Sequence, residues 1–475
     1  MQNVFGHCSG PVERREFLRL GSLGLGGLTL PELFRRREAS AAASGQSEPD
    51  TSVIFVWLPG GPPHMDMYDM KPDAPLEYRG ALRPINTVVP GMDVCELFPL
   101  HAKLADKYNI VRSISHDFAD HGGGHKRFMT GRVPRTPVDT VNDSPAVGSI
   151  VAKMFEQRSL GLPNYVNLCD GGRDGVDVFA MGSAYLGSAY NPFAVPGDPS
   201  DRQRFSVPNV APQLEVVGRM DDRATLMRHF DKFRRDADQT GTMGSIDKFH
   251  SRALGLLTSD KARKAFDLTL ETPHLRERYG MHAWGQRLLM ARRLVEAGST
   301  FVTVVLENPF QSGVPQLKQG VYNWDSHAVN CHLYDDAQVR FPIYDQCVTA
   351  LIEDLYQRGL DRRTMVVVTG EFGRTPRVEN QVGTQTGVIQ PGRDHWPGSM
   401  SLITFGGGMR TGQIIGSTNS KGEFPKDRPL APNDLWSSVY RHLGIDQSVA
   451  FPDFAGRPMP ILQSGEPIPE LLAVA

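Results

Sequence analysis

The sequence predicts an α/β protein whose mainly parallel central sheet is covered by helices on both faces. Short apolar runs rich in Val and Ile recur along the chain, they end at Gly, Pro or polar residues, and helical patterns lie between them. A strand buried on both faces of a parallel sheet is a continuous apolar run, because helices cover both of its sides. The length of 475 residues and the hydrophobic fraction of 40% suffice for a large folded core.

Six apolar runs are the predicted strands of this sheet. The first, at 52–58, is followed directly by Pro59, Gly60 and Gly61. Residues of these types commonly end a strand, which places a turn at its carboxyl end. The other five runs lie at 109–114, 165–168, 301–306, 365–369 and 401–405.

Helices are predicted between these strands. Residues 225–238, 246–266 and 284–297 show helical patterns. A fourth helix is expected to begin at Pro342, since proline suits the first turn of a helix. The apolar residues after it recur every four positions on one face, at Ile343, Cys347, Leu351 and Leu355.

The first 43 residues are predicted to be a twin-arginine export signal. The pair Arg14 and Arg15 precedes a glycine-rich apolar run at 20–30, which leads to small residues at 39–43. At about 1.5 Å per residue, this run is too short to cross a hydrocarbon core of roughly 30 Å. The chain is therefore expected to be periplasmic or extracellular, without an integral membrane span. Residues 44–475 are expected to form a single domain with an insertion around 170–300.

Charge and cysteine content exclude several classes of function. The chain has 51 basic and 53 acidic residues, which gives a net charge of −2. A signal ending at Ala43 carries six basic and four acidic residues, so its removal would change the net charge to −4. Such a chain has no broad cationic field, and nucleic-acid binding is not expected. The five cysteines form no CxxC pair, which excludes a zinc ribbon or a thioredoxin motif. Disulfides and buried free thiols both remain open, as does the oligomeric state.

Residue types that bind metal follow four of the predicted strands. In chain order they are His64, Asp66 and Asp69; His116, Asp117, Asp120, His121 and His125; Asp325, His327 and His332; and Glu371 and His395. Ligands of an open α/β sheet bind beyond the carboxyl ends of its strands. Zinc and manganese accept imidazole nitrogen and carboxylate oxygen together. The sequence therefore predicts a divalent metal site at this edge.

Several motifs occur in order along the chain. They are GGPPHMD at 60–66, TGRVP at 130–134, WDSH at 324–327, TGEFGRTP at 369–376 and GRDHWP at 392–397. Together with the export signal, they resemble the exported family known as domain of unknown function 1501. More broadly, their order is similar to that of the alkaline phosphatase and sulfatase superfamily. The resemblance implies an alkaline phosphatase-like fold and a divalent metal, with zinc, manganese and calcium as the candidates.

The resemblance also implies roles for particular residues. The metal ligands would be Asp66, Asp325, His327, Glu371 and His395, with His64 as a further candidate in the turn that holds Asp66. Arg127 and Arg374 are candidates to hold a phosphate or sulfate group, because guanidinium forms forked hydrogen bonds with such anions.

The nucleophile position of the superfamily falls on His121, and His125 stands where an arginine is usual. His121 would form a phosphohistidine as the nucleophile, act as a general acid or bind metal, and all three roles remain open. Phe372 stands where active members place a ligating histidine, and a phenyl ring cannot bind metal. The glycine run at 122–124 favours a loop here, whereas a helix beginning at Gly122 or earlier would place both histidines on one face.

The predicted function is metal-dependent hydrolysis of a small-molecule or polysaccharide-linked phosphate or sulfate ester. His121, His125, Arg127 and Arg374 would be its catalytic residues. The main alternative is an exported binding protein that keeps the fold without the chemistry, which Phe372 and the missing hydroxyl nucleophile favour. A metal-dependent mutase or isomerase ranks third, since it needs such a nucleophile or a second complete set of metal ligands.

Overall fold

A computed structural model describes residues 50–158, 161–170, 179–201, 203–207, 259–310, 314, 317 and 320–473. The predicted export signal at 1–43 and the helix predicted at 225–238 lie outside these residues. The predicted helix at 246–266 and the insertion around 170–300 lie partly outside them.

The central sheet has eight strands, and the predicted fold class is confirmed. The strands are β1 Ser52–Trp57, β2 Asn109–Ile114, β3 Tyr165–Cys169, β4 Phe193–Pro196, β5 Phe301–Val305, β6 Thr364–Thr369, β7 Met400–Gly406 and β8 Ile414–Ile415. They lie in the order β8-β2-β7-β6-β1-β5-β3-β4. All neighbouring strands are parallel except for β7, which is antiparallel to both β2 and β6.

The direction of β7 follows from the course of the chain before it. Strand β6 ends at the edge of the sheet where the candidate ligands lie, and the chain stays at that edge until β7 begins. A strand that starts at this edge has to run back, and an antiparallel neighbour needs no crossover helix.

The middle strand β1 separates two apolar cores. All six of its residues are buried. Because side chains alternate along a strand, Ile54 and Val56 pack into one core, whereas Val53, Phe55 and Trp57 pack into the other. Helices therefore cover both faces of the sheet, as predicted.

The described residues contain ten α-helices. They are α1 His64–Met67, α2 Leu76–Arg79, α3 Pro99–Lys103, α4 His121–Thr130, α5 Val147–Met154, α6 Asp260–Phe266, α7 Pro273–Tyr279, α8 Ala283–Glu296, α9 Leu333–Gln357 and α10 Pro432–His442. The first core is covered by α8 and α9, and the second by α4, α5 and α10. The prediction of a helix at 284–297 is confirmed by α8.

The predicted start of the helix at Pro342 is wrong. Helix α9 begins at Leu333 and contains Pro342 in its interior. His332 caps its amino end by accepting a hydrogen bond of 3.2 Å from Asp335 N. Proline removes one helical hydrogen bond, but Ala337 and Phe341 before it and Tyr344 and Cys347 after it are buried in the first core. Packing on both sides of the proline therefore holds the helix together.

Short hairpins complete the described fold. Their strand pairs are Pro84–Asn86 with Asp93–Cys95, Gly373–Arg374 with His395–Trp396, Glu379–Val382 with Ile389–Gly392, Ser417–Thr418 with Pro425–Asp427, and Ala450–Pro452 with Pro458–Pro460. The four cysteines within the described ranges are buried, and Cys95, Cys331 and Cys347 are free thiols. No helix in this part of the chain is long and apolar enough to cross a membrane.

Candidate metal centre

The helix that carries His121 and His125 begins at His121 itself. Its N-cap is Asp120, whose side chain accepts a hydrogen bond of 2.7 Å from Gly123 N. The glycine run therefore lies in helix α4 and not in the loop that its composition favoured. Because they are four residues apart, the two histidines project from the same side of the helix.

Two glycines of the run are required because other segments pack against them. A Cβ atom at Gly122 would lie 2.3 Å from the carbonyl oxygen of Pro137. A Cβ atom at Gly124 would lie 2.9 Å from the ring of Phe372. Both distances are well inside the roughly 3.5–4.0 Å of a normal carbon contact. Glycine thus allows the first turn of α4 to lie against these neighbours.

Glu371 follows β6, and its carboxylate has three partners. Gly60 N donates to Oε1 at 2.8 Å and to Oε2 at 3.1 Å. His121 Nδ1 lies 2.8 Å from Oε1, and His125 Nε2 lies 3.2 Å from it. Burial disfavours the charged carboxylate, but His125 and His121 outweigh it and hold the pKa of Glu371 well below its usual range. We call His125 and Glu371, which are both buried, the buried group.

Asp325 holds a second set of nitrogens around one oxygen. Its Oδ1 lies 3.0 Å from His327 Nε2, 3.1 Å from His395 Nε2 and 3.4 Å from His121 Nε2. Arg374 Nη2 donates to the same oxygen at 2.6 Å. Burial alone would raise the pKa of Asp325, but Arg374 and the histidines outweigh it and hold that pKa far below its usual range.

We call Asp325, His327 and His395 the open group. Their side chains and that of His121 are between 19 and 27% exposed, so solvent reaches this side of the cluster.

Neighbouring groups fix the orientation of both histidine rings in the open group. His327 Nδ1 lies 2.5 Å from Asp394 Oδ1. His395 Nδ1 lies 2.6 Å from the carbonyl oxygen of Ala119. These partners turn both Nε2 atoms inward, where they face each other at 2.9 Å. Histidines that bind metal typically have such a partner on the other ring nitrogen.

The arrangement fits a divalent cation. One carboxylate oxygen of Asp325 faces three imidazole nitrogens and a guanidinium, although an oxygen has only two lone pairs. Two nitrogens that face each other at 2.9 Å need a proton or a cation between them. Ligand atoms at about 2.0 Å from a tetrahedral zinc lie roughly 3.3 Å apart, close to the spacings measured here.

His121 belongs to both ends of the cluster. The ligand atoms of His121, Asp325 and His395 lie within 4.8 Å of one another, and so do those of His121, His125 and Glu371. Burial lowers the basicity of His121, but its hydrogen bonds with Asp325 and Glu371 outweigh this effect and raise the pKa to about 9. Without a cation, the ring therefore holds a proton between the two carboxylates at neutral pH.

The structure does not bring His64 and Asp66 to this cluster. His64 Nε2 lies 3.0 Å from Ser399 Oγ and 3.1 Å from the carbonyl oxygen of Gly422. Asp66 accepts hydrogen bonds of 2.7 and 3.2 Å from Arg393. Both residues are buried, and these partners take up their polar atoms.

Arg374 lies beside the cluster, but its guanidinium is not free to bind an anion. Nε donates to the carbonyl oxygen of Gly61 at 2.9 Å, and Nη1 donates to that of Arg393 at 3.1 Å. Nη2 donates to the carbonyl oxygen of Gly60 and to Asp325. The residue therefore positions the Gly60 turn and Asp325.

Arg127 lies on α4, two residues after His125. At about 100° per residue, its side chain leaves the helix on the side opposite to the histidines. Burial is the main influence on its guanidinium and lowers its pKa, against the charges of Asp117 and Asp434. The structure thus separates Arg127 from the ligand cluster.

Some groups around the site were not among the predicted residues. Asp394 orients His327, and the only signal for it was its place in the GRDHWP motif beside His395. The backbone oxygen of Ala119 and the backbone nitrogen of Gly60 leave no mark in a sequence. His116 is one of the metal-binding residue types expected after β2, but it lies with Nε2 2.6 Å from the carbonyl oxygen of Glu371 and supports its backbone. Burial lowers the pKa of His116 to about 4.

Several solved structures are similar to this chain. A sulfatase from Pseudoalteromonas sp., PsFucS1, is 13% identical with a TM-score of 0.34, and the match covers 92% of this chain and 72% of that one. A magnesium-bound mutant of TAB5 alkaline phosphatase is 12% identical with a TM-score of 0.35, covering 84% and 99%. The zinc complex of the C-terminal periplasmic domain of EcEptC from Escherichia coli is 10% identical with a TM-score of 0.35, covering 84% of each chain. Likeness at this distance assigns no activity or ligand to the present chain.

A search of curated proteins gives no match. A family model described as "Protein of unknown function (DUF1501)" matches residues 50–472. The match spans the motifs between residues 60 and 397, but not the predicted export signal at 1–43, and it confirms the family resemblance. The chain belongs to the DUF1501 family.

Proposed function

We propose that this protein is an exported metal-dependent hydrolase of phosphate or sulfate esters. The observation that supports it most is the convergence of His121 with the open group and the buried group. These six side chains come from segments that lie far apart in the sequence, and partners outside the cluster aim four of them at the others. A purely structural cluster has no need of four imidazoles around two carboxylates.

A divalent cation in the open group would polarise an ester oxygen and lower the pKa of a bound water. Asp325 and the two inward Nε2 atoms would hold it, since they lie 2.9–3.1 Å apart and solvent reaches them. Asp394 and the Ala119 carbonyl keep both rings in place before a substrate arrives. The ester would enter from the exposed side of these residues.

His121 is better suited to bind metal than to act as a covalent nucleophile. Its Nδ1 lies 2.8 Å from Glu371 and its Nε2 lies 3.4 Å from Asp325. Both ring nitrogens therefore face negatively charged carboxylates. A cation can bind a ring nitrogen and a carboxylate together, whereas these carboxylates would repel an anionic phosphate or sulfate ester. Of the roles left open by the sequence, the contacts favour the metal ligand.

The rival function is an exported binding protein without turnover. Phe372 favours it, because its ring packs 4.5 Å from the ring of His395 and 5.5 Å from that of His121, measured between centroids. An apolar side chain at this place removes one ligand from the cluster. Metal binding without hydrolysis would support this rival.

The test combines metal analysis with turnover. The purified protein should contain a divalent metal and hydrolyse at least one compound in a panel of aryl phosphates and aryl sulfates. Asp325→Asn should lose both properties. His274→Ala is the matched control, because His274 is exposed on α7 away from the cluster and its loss should change neither. The proposal fails if the protein binds no metal, or if Asp325→Asn matches the parent.

Export is the second part of the proposal. Residues 1–43 would form the twin-arginine signal, and residues 44–475 the exported domain. Replacing Arg14 and Arg15 by Lys should keep the protein inside the cell, whereas replacing Arg36 and Arg37 by Lys should not. Unchanged export of the first variant would contradict the twin-arginine route.

A further inference from the structure

We propose that the imidazole of His121 bridges two divalent cations, one in the open group and one in the buried group. The inference rests on the metal-binding part of the proposed function and not on ester hydrolysis. It concerns the number of ions and the link between them.

The two nitrogens of the ring point at different groups. Nε2 faces Asp325 of the open group at 3.4 Å, and Nδ1 faces Glu371 of the buried group at 2.8 Å. A histidine that binds one cation also keeps a partner on its other nitrogen, as His327 keeps Asp394. His121 differs because its partner Glu371 also contacts the imidazole of His125, so each nitrogen of His121 faces a set of ligand atoms. This arrangement matches a ligand shared between two ions.

Each group supplies further ligand atoms of its own. In the open group, two Nε2 atoms accompany the carboxylate of Asp325. In the buried group, His125 Nε2 lies 3.2 Å from Glu371 Oε1. Both groups therefore offer imidazole and carboxylate atoms together with one nitrogen of His121, a mixed set that suits first-row divalent ions.

Both carboxylates are held in place by other parts of the protein. Asp325 Oδ2 accepts a hydrogen bond of 3.0 Å from Asn330, and Oδ1 accepts one from Arg374. Glu371 is held by Gly60 N. These bonds keep one side of each carboxylate turned toward His121. Within the described residues, Arg374 is the only arginine or lysine bonded to either carboxylate, so two negative charges face one permanent positive charge.

The two sites should differ in affinity. The rings of the open group have partners on their other nitrogens, whereas His125 Nδ1 is buried without a partner in the part of the chain that the structure describes. Partners of this kind typically contribute 10–100-fold in metal affinity. We therefore expect the open group to fill first and the buried group second. As both fill, two coordinate bonds form at the ring of His121 and its protons pass to solvent.

Copper is the probe of choice, because Cu²⁺ binds such sites more tightly than the other divalent first-row ions. The full chain, stripped of metal and titrated with Cu²⁺, should bind two ions at the cluster. The electron paramagnetic resonance signal of Cu²⁺ should grow as the first equivalent of Cu²⁺ is added and fall as the second is added. The fall is expected because the unpaired electrons of two Cu²⁺ ions that share an imidazole bridge couple and cancel.

Two variants show which Cu²⁺ ion binds to the open group and which to the buried group. His125→Gln should remove the second equivalent and leave the signal of the first. His121→Ala should abolish the fall in signal. Exposed histidines bind copper weakly elsewhere, and His274→Ala measures that background.

Two results would contradict the proposal that His121 bridges two ions but would leave the proposed hydrolase function unaffected. One is a single ion at the cluster. The other is two ions whose signals add to two independent spins in the parent. Failure of the parent to bind any copper at the cluster would instead overturn the proposed function together with the bridge.

Discussion

Two helical turns that follow strands carry residue types that bind metal, but the two turns have different partners. His64 and Asp66 follow β1, and His121 and His125 follow β2. In the first turn, Asp66 is paired with Arg393 in a fully buried ion pair. In the second, the histidines meet the carboxylate of Glu371 together with a backbone N–H.

The difference lies in the partner that the tertiary fold supplies. An arginine binds both oxygens of Asp66, and within the described residues Asp66 belongs to no set of three ligand atoms close enough to hold a cation. Around Glu371 the partners are imidazoles, whose nitrogens can exchange a proton for a metal ion. Histidine and aspartate after a strand therefore indicate a metal site only when further imidazole or carboxylate atoms converge on them.

The largest expected effect is on the free energy of unfolding, and it distinguishes the first turn from the second. Asp66→Asn leaves Arg393 charged, buried and without its carboxylate. We expect the free energy of unfolding to fall by about 3–5 kcal/mol, while the number of metal ions bound by the folded protein stays the same. Chemical denaturation and elemental analysis measure the two quantities.

A matched control replaces both members of that pair. Asp66→Leu combined with Arg393→Met removes both charges and should cost less stability than Asp66→Asn alone. If Asp66→Asn instead lost metal and kept its stability, the first turn would belong to the metal site after all.

A smaller effect is expected from the group that orients His327. Asp394→Asn weakens the partner of Nδ1 and should lower metal affinity by about 10–100-fold. The free energy of unfolding of the metal-free protein should change little, because Asp394 is 42% exposed. Competition with a chromophoric chelator measures the affinity. An affinity equal to that of the parent would show that Asp394 does not orient the ring.

The smallest expected effect is the dependence of metal affinity on pH. Burial works against protonation of His121, but Asp325 and Glu371 raise its pKa to about 9, so a cation that binds at neutral pH has to displace a proton. Affinity should therefore rise by about tenfold per pH unit up to pH 9 and level off above it. Calorimetry in two buffers of different ionisation enthalpy counts the protons released. In His121→Gln, metal affinity should depend much less on pH. If the affinity of the parent did not change with pH, the ring of His121 would not carry the expected proton.

The apolar pattern was enough to locate the long strands but not their direction. Strands β1, β2 and β6 were predicted because a strand covered on both faces has to be apolar throughout. The edge strands β4 and β8 are only four and two residues long, and such segments leave no clear pattern. The antiparallel direction of β7 depends on where the chain enters the sheet, which an apolar run does not record.

The sequence was enough to predict the residue types of the site, but not which side chains pair with each other. Asp325 and His395 were expected as ligands from their motifs, and they lie side by side. Arg374 and Arg393 lie in neighbouring motifs, yet each pairs with a different carboxylate, Asp325 and Asp66 respectively. Contacts between segments about 50 to 330 residues apart decide which arginine pairs with which aspartate. No local sequence pattern predicts these contacts.

The central claim, that the cluster around His121 binds a divalent cation, is tested most directly by thermal unfolding with and without metal. A ligand that binds only the folded state raises Tm by mass action. Added Zn²⁺ or Mn²⁺ should raise the Tm of the metal-free parent, and the double variant Asp325→Asn with Glu371→Gln should show no such rise. An equal rise in that double variant, or no rise in the parent, would contradict the claim.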